Sequence, residues 1–112
     1  MTWVLDEVME LIRDLQPKVR LLGYHIALGG GVLNNGQSDK DLDLYFLPIY
    51  DDNARDSDGV IELLNTKWGL RAPLGGRVPA TEAEYLPESL TIYTGGQFTY
   101  APGGRRIDVF VA

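Results

Sequence analysis

At 112 residues, 45% of them hydrophobic, the chain has the length of one domain and enough apolar content to cover a modest core. Cysteine is absent, which excludes a disulfide framework and thiolate zinc sites and leaves oxygen ligands or the lone His25 to hold any metal. A net charge of -6 opposes tight sequence-independent binding of nucleic acid, and it makes any bound triphosphate dependent on metal counter-charge.

No segment approaches the roughly 20 apolar residues of a membrane span. The opening residues, with Asp6 and Glu7 and no long apolar run, do not read as a signal peptide, so a soluble, cytoplasmic protein without a membrane partner is expected. Val4, Leu5, Val8, Leu11, Ile12 and Leu15 recur at helical steps until Pro17, which predicts a helix from Thr2 to Gln16. Tyr24 to Leu28 is short and apolar and runs into Gly29-Gly30-Gly31, the pattern of a buried strand entering a tight loop. Asp41 to Leu47 alternates acidic or polar with apolar residues and is closed by Pro48, which predicts a second strand. After a turn-rich stretch from Asp51 to Gly59, Val60, Ile61, Leu64 and Trp68 share one helical face, with Gly69 as the C-cap. Leu70 to Pro87 reads as loop with one edge strand near Arg77 to Pro79. Ser89 to Tyr93, Gln97 to Ala101 and Arg105 to Val111 are β-branched and aromatic runs separated by glycine turns, a meander of two hairpins. The expected fold is a single α+β domain over residues 1–112, with a small mixed or mostly antiparallel sheet and two helices on one side.

The chemistry concentrates between Leu28 and Leu44. Side chains alternate along a strand, so Asp41 and Asp43 point the same way, roughly 7 Å apart at ~3.3 Å per residue, while Leu42, Leu44 and Phe46 point into the core. Two carboxylates on one face of a half-buried strand repel each other unless a cation lies between them, and magnesium suits oxygen ligands. Asp108 adds a third acid inside the apolar run Ile107 to Val111 and joins the others if the two strands are neighbours. The glycines allow backbone N–H groups close to a phosphate, and Ser38 can add a hydroxyl. A β-branched residue at Gly30 is expected to weaken triphosphate binding more than folding. Together these features suit an in-line phosphoryl-type displacement.

The run Leu28-Gly29-Gly30, a loop to Lys40, and then Asp41-Leu42-Asp43-Leu44 resembles the signature of the DNA polymerase β-like nucleotidyltransferase superfamily. Within it, Ser38 to Leu44 looks most like the minimal and aminoglycoside nucleotidyltransferase-like branch. The resemblance implies a nucleotidyltransferase-like core in which Asp41 and Asp43 bind two magnesium ions. It implies that Asp108 ties to one metal and activates the acceptor hydroxyl, and that Gly29, Gly30 and the Ser38 region hold a nucleoside triphosphate such as ATP. The reaction implied moves a nucleoside monophosphate to a hydroxyl of a partner protein, an RNA end or a small molecule, and releases pyrophosphate. The alternative is a fold of this kind that binds a partner protein with its nucleotide binding weak or lost. The oligomeric state stays open, a homodimer being one way for a small core to complete its site.

Each feature also has a plain structural use. The acids can be the wet face of an antiparallel strand, and His25 can be a satisfied structural histidine. Arg105 and Arg106 can be turn charges, although they could also meet phosphate. Trp3, Trp68 and the tyrosines read as core or interface. Asp51, Asn53, Asp58 and Glu62 are spaced like part of a calcium loop, but Asp56 stands where that loop needs glycine, so a helix-capping loop is preferred.

Overall fold

The computed structural model describes residues 2–39, 41–49, 55–72, 93–100 and 104–112. Residues 51–54 of the turn-rich stretch, the edge strand expected at 77–79 and the start of the strand expected from 89 lie outside them. In chain order the elements are β1 (Trp3–Val4), α1 (Leu5–Arg20), β2 (Tyr24–Gly29), α2 (Gly30–Asn35), β3 (Gln37–Ser38), β4 (Leu42–Pro48), α3 (Ser57–Lys67), β5 (Gly69–Ala72), β6 (Tyr93–Tyr100) and β7 (Arg105–Val111). They make a five-stranded sheet in the order β2-β4-β7-β6-β5 and a two-stranded pair of β1 with β3. Only β4 and β7 are parallel among the described strand pairs, so the fold is α+β with a mixed sheet.

Local chemistry explains the helices. α1 carries Asp6 and Glu7 in its first turn and Lys18 and Arg20 in its last, the charge order that its dipole favours. Its first amide has no side-chain cap; instead Leu5 N–H donates to the Gly36 carbonyl at 3.0 Å. The helix continues past Pro17, contrary to the expected stop at Gln16. Proline costs one backbone hydrogen bond there, but Leu15 and Val19, one turn apart, are both fully buried, and that burial outweighs the loss. Asp56 caps α3, its Oδ1 accepting from Gly59 N–H at 2.8 Å.

Four other expectations are corrected. The glycine segment is not a loop: Gly30 to Asn35 turn into α2, which closes on Gly36 in the left-handed region (φ 75°), so the described residues hold three helices where two were expected. Helix α1 starts at Leu5, because Trp3 and Val4 pair with β3. Gly69 opens β5 instead of capping α3. The turn expected at Gly95-Gly96 is a bulge: β6 runs unbroken from Tyr93 to Tyr100 and shifts register at Thr94/Gly96, where Gly96 has φ 133°.

One face of the sheet builds the core. Leu42, Leu44 and Phe46 of β4 and Ile107, Val109 and Val111 of β7 pack with Val8, Leu11, Leu15 and Val19 of α1, Val32 of α2, and Val60 and Leu64 of α3. Full burial of side chains of this size is worth about 1.5–3 kcal/mol each. The alternate residues of the same strands, Asp43 and Tyr45 on β4 and Asp108 and Phe110 on β7, are only half-buried. Among the described residues no helix is long and apolar enough to cross a membrane.

Candidate functional site

The half-buried side of β4 and β7 carries the acids. In the parallel register Asp43 is the Cα partner of Asp108, flanked by Leu42 with Ile107 and Leu44 with Val109. Asp41 stands one residue before β4, and its carboxylate is gripped by Arg106 through Nε to Oδ1 at 2.6 Å and Nη2 to Oδ2 at 2.7 Å. Arg106 and Asp108 lie two residues apart on β7 and share the strand face. This makes Arg106 part of the cluster rather than a turn charge.

Asp108 is strongly perturbed. Burial first, then the hydrogen bond and charge of Asp41 and the charge of Asp43, push its pKa up to about 7, and Arg106 opposes the rise. Its Oδ1 is buried and takes no hydrogen bond among the described residues. Asp41 in turn raises the pKa of Arg106, mainly through their hydrogen bond. Among the described residues no group of three or more Asp, Glu, His or Cys side chains is arranged to hold a metal ion. Both oxygens of Asp41 are engaged by Arg106.

The glycines sit against this face. Gly30 has φ 67°, and a Cβ there would lie 2.0 Å from Asp43 Oδ2, so the space beside Gly30 belongs to the Asp43 carboxylate. A side chain at Gly30 would therefore press on Asp43 as well as on any ligand bound there. A Cβ at Gly31 would lie 3.3 Å from Ser38 Oγ, which places half-buried Ser38 beside the helix start. At Gly29 a Cβ would meet Tyr45 Cε2 at 2.5 Å. Tyr45 stacks on Phe110, with centroids 4.8 Å apart and planes at 16°, one step along both strands from Asp43 and Asp108. Neither the aromatic pair nor the grip of Arg106 on Asp41 was read from the sequence. Alternation along β7 was the available signal, because Arg106, Asp108 and Phe110 recur at every second residue.

Two features stand apart. His25 is exposed and pairs with Leu47, near the far end of β4 from Asp43. Arg105 faces the opposite way from Arg106: its guanidinium lies 4.0 Å from the Trp3 ring centroid and 5.3 Å from that of Tyr100. It holds Glu7 through both terminal nitrogens, Nη2 to Oε2 at 2.7 Å and Nη1 to Oε1. That bond lowers the pKa of Glu7.

The geometry defines an α+β domain core with an acidic cluster on the half-buried side of a mixed sheet. No protein-family model matches the chain, and no curated protein matches it.

Proposed function

We propose that the protein is a metal-dependent nucleotidyltransferase, moving a nucleoside monophosphate from a triphosphate to a hydroxyl acceptor. The observation that carries the reading is the register pairing of Asp43 with Asp108, together with the buried Asp108 Oδ1 that no group among the described residues satisfies. Three acids drawn together raise each other's cost of ionisation, and a hard divalent cation is the partner that removes it. The donor set fits magnesium: it is all oxygen, Asp43 and Asp108 are adjacent, and Asp41 joins if it exchanges Arg106 for the ion. Bound there, magnesium would neutralise triphosphate oxygens and charge developing on the leaving pyrophosphate.

The chain's own groups have defined tasks in this reading. Asp108 accepts the proton of the acceptor hydroxyl as its oxygen attacks the α-phosphorus and the bond to pyrophosphate breaks. Gly30, in its left-handed conformation, keeps the backbone tight against Asp43, and the neighbouring Gly31 lies beside Ser38. Gly29 and Ser38 flank the path that a phosphate chain would take.

Thermal melts with magnesium and each of the four common triphosphates test the proposal. A metal-dependent upward shift is expected, about 2.7 kcal/mol at a hundredfold excess of ligand over Kd, and Asp43→Asn should abolish it. No shift with any triphosphate would reject the enzyme. A second reading, a fold of this kind that binds a partner protein, is favoured by the Arg106 grip, since a carboxylate already neutralised by guanidinium has less need of a metal.

A further inference from the structure

The two adjacent arginines of β7 have opposite fates. Arg105 is pinned: its side chain is 9% exposed, stacked over Trp3 and tied to Glu7. Arg106 is 41% exposed, and its guanidinium bonds to the carboxylate of Asp41. Both oxygens of Asp41 are engaged, so a divalent cation reaches them only by expelling the guanidinium. An expelled Arg106 does not leave the site. Its backbone is fixed two residues from Asp108, and its long stem keeps the planar fork within reach of an anion gathered at the same carboxylates. In a chain of net charge -6 that fork is a scarce resource for a polyphosphate.

We infer that Arg106 stands in for a divalent cation on Asp41 and, once displaced by that cation, becomes a ligand of the triphosphate. The inference rests on the nucleotidyltransferase reading and deepens it. Arg106 is a latch in the metal-free protein and a phosphate clamp in the loaded one, and the exchange is driven by a doubly charged ion outcompeting a singly charged one. It also ties the two ligands together, because metal binding releases the group that recognises the second ligand.

The two roles have opposite signs in one variant. Arg106→Gln removes the competitor, so manganese alone, followed by electron paramagnetic resonance, should bind roughly three- to tenfold more tightly than to the unmodified protein. The same variant loses the clamp, so inorganic tripolyphosphate with magnesium, followed by calorimetry, should bind about tenfold more weakly. Arg106→Lys keeps a charge without the fork and should fall between the two for tripolyphosphate. Weaker binding of both probes to Arg106→Gln would make Arg106 a mere support for Asp41 and overturn the inference; tighter binding of both would overturn the clamp. Asp43→Asn separates this from the underlying reading. If manganese binds the unmodified protein and is lost in Asp43→Asn, the carboxylate site stands whatever Arg106 does. If manganese binds neither the unmodified protein nor Arg106→Gln, reading and inference fail together.

Discussion

Asp43 and Asp108 are Cα partners across the parallel pair of β4 and β7, and Asp41 adds its charge and a hydrogen bond to Asp108 from one side. The arrangement is unfavourable in the isolated protein, and its cost depends on pH. Burial and the two acids raise the Asp108 pKa from its ordinary 3.8 to about 7. The native state therefore holds the proton more tightly than the unfolded chain between those values, so this group's contribution favours folding least above pH 7 and is progressively recovered as pH falls to about 4.

Asp108→Asn removes that dependence. The variant should melt above the unmodified protein at pH 8, by roughly 2–4 °C for a domain of this size once solvent screening of the half-buried group is allowed for. The gap should narrow as pH falls below 7 and close only below 3.8, where the unmodified Asp108 is largely protonated in both states. A series of melts across that range checks it, and a gap that stays constant with pH would show that the side chain's charge is not the cause.

Gly30 and Gly36 offer a controlled pair. Both have positive φ, 67° and 75°, but a Cβ at Gly30 meets Asp43 Oδ2 at 2.0 Å while one at Gly36 meets nothing within 4 Å. Gly36→Ala should cost only the left-handed backbone penalty, about 1–2 kcal/mol. Gly30→Ala should cost more, about 2–3 kcal/mol with the displaced carboxylate, and part of the excess should disappear in an Asp43→Ala background. Urea denaturation of the variants in a double-mutant cycle would measure it.

The sequence displays one part of this arrangement well and another hardly at all. Period-two alternation separates Leu42, Leu44 and Phe46 from Asp43 and Tyr45, because strand geometry is local and strict. The adjacency of β4 to β7 is not local: the partners Asp43 and Asp108 are far apart in the chain, and no short-range pattern encodes which strand lies beside which. Pro17 reads as a stop because its missing N–H is a local fact, whereas the burial of Val19 that carries α1 onward depends on the assembled core. Glycine pairs are ambiguous in the same way. Gly95-Gly96 permits a turn or a bulge, and pairing with the flanking strand selects the bulge.

Arg105 and Glu7 make a different kind of ion pair. The arginine is 9% exposed beneath Trp3 and the glutamate 38%, so the pair is sheltered on one side only. Glu7→Gln leaves a nearly buried guanidinium without its counter-charge and should cost about 1 kcal/mol, after discounting for the wet side of the pair. The pKa of Glu7 is lowered by its bond to Arg105, so its contribution is present above the ordinary glutamate range and lost as pH falls through the lowered value. The difference in melting temperature between the two proteins should therefore shrink in acid, the same direction as for Asp108→Asn but with Glu7→Gln the less stable partner.

The stacked pair of Tyr45 and Phe110 links the sheet's stability to the state of its acids. The rings lie one strand step beyond Asp43 and Asp108, with centroids 4.8 Å apart, and they join Leu47 and Ala112 in a small apolar cluster apart from the main core. Offset aromatic pairs contribute about 0.5–1.5 kcal/mol beyond their burial, so a cycle of Tyr45→Leu, Phe110→Leu and the double variant should return a coupling of that size. Phe110 follows Asp108 on the same strand face, and burial is the largest cause of the raised Asp108 pKa. Phe110→Ala should therefore let water reach the carboxylate and move its pKa from about 7 back towards 3.8. Carbon-detected NMR titration of the Asp108 carboxyl would follow the change directly. A pKa that does not move in Phe110→Ala would assign the rise to Asp41 and Asp43 instead of to the aromatic shelter.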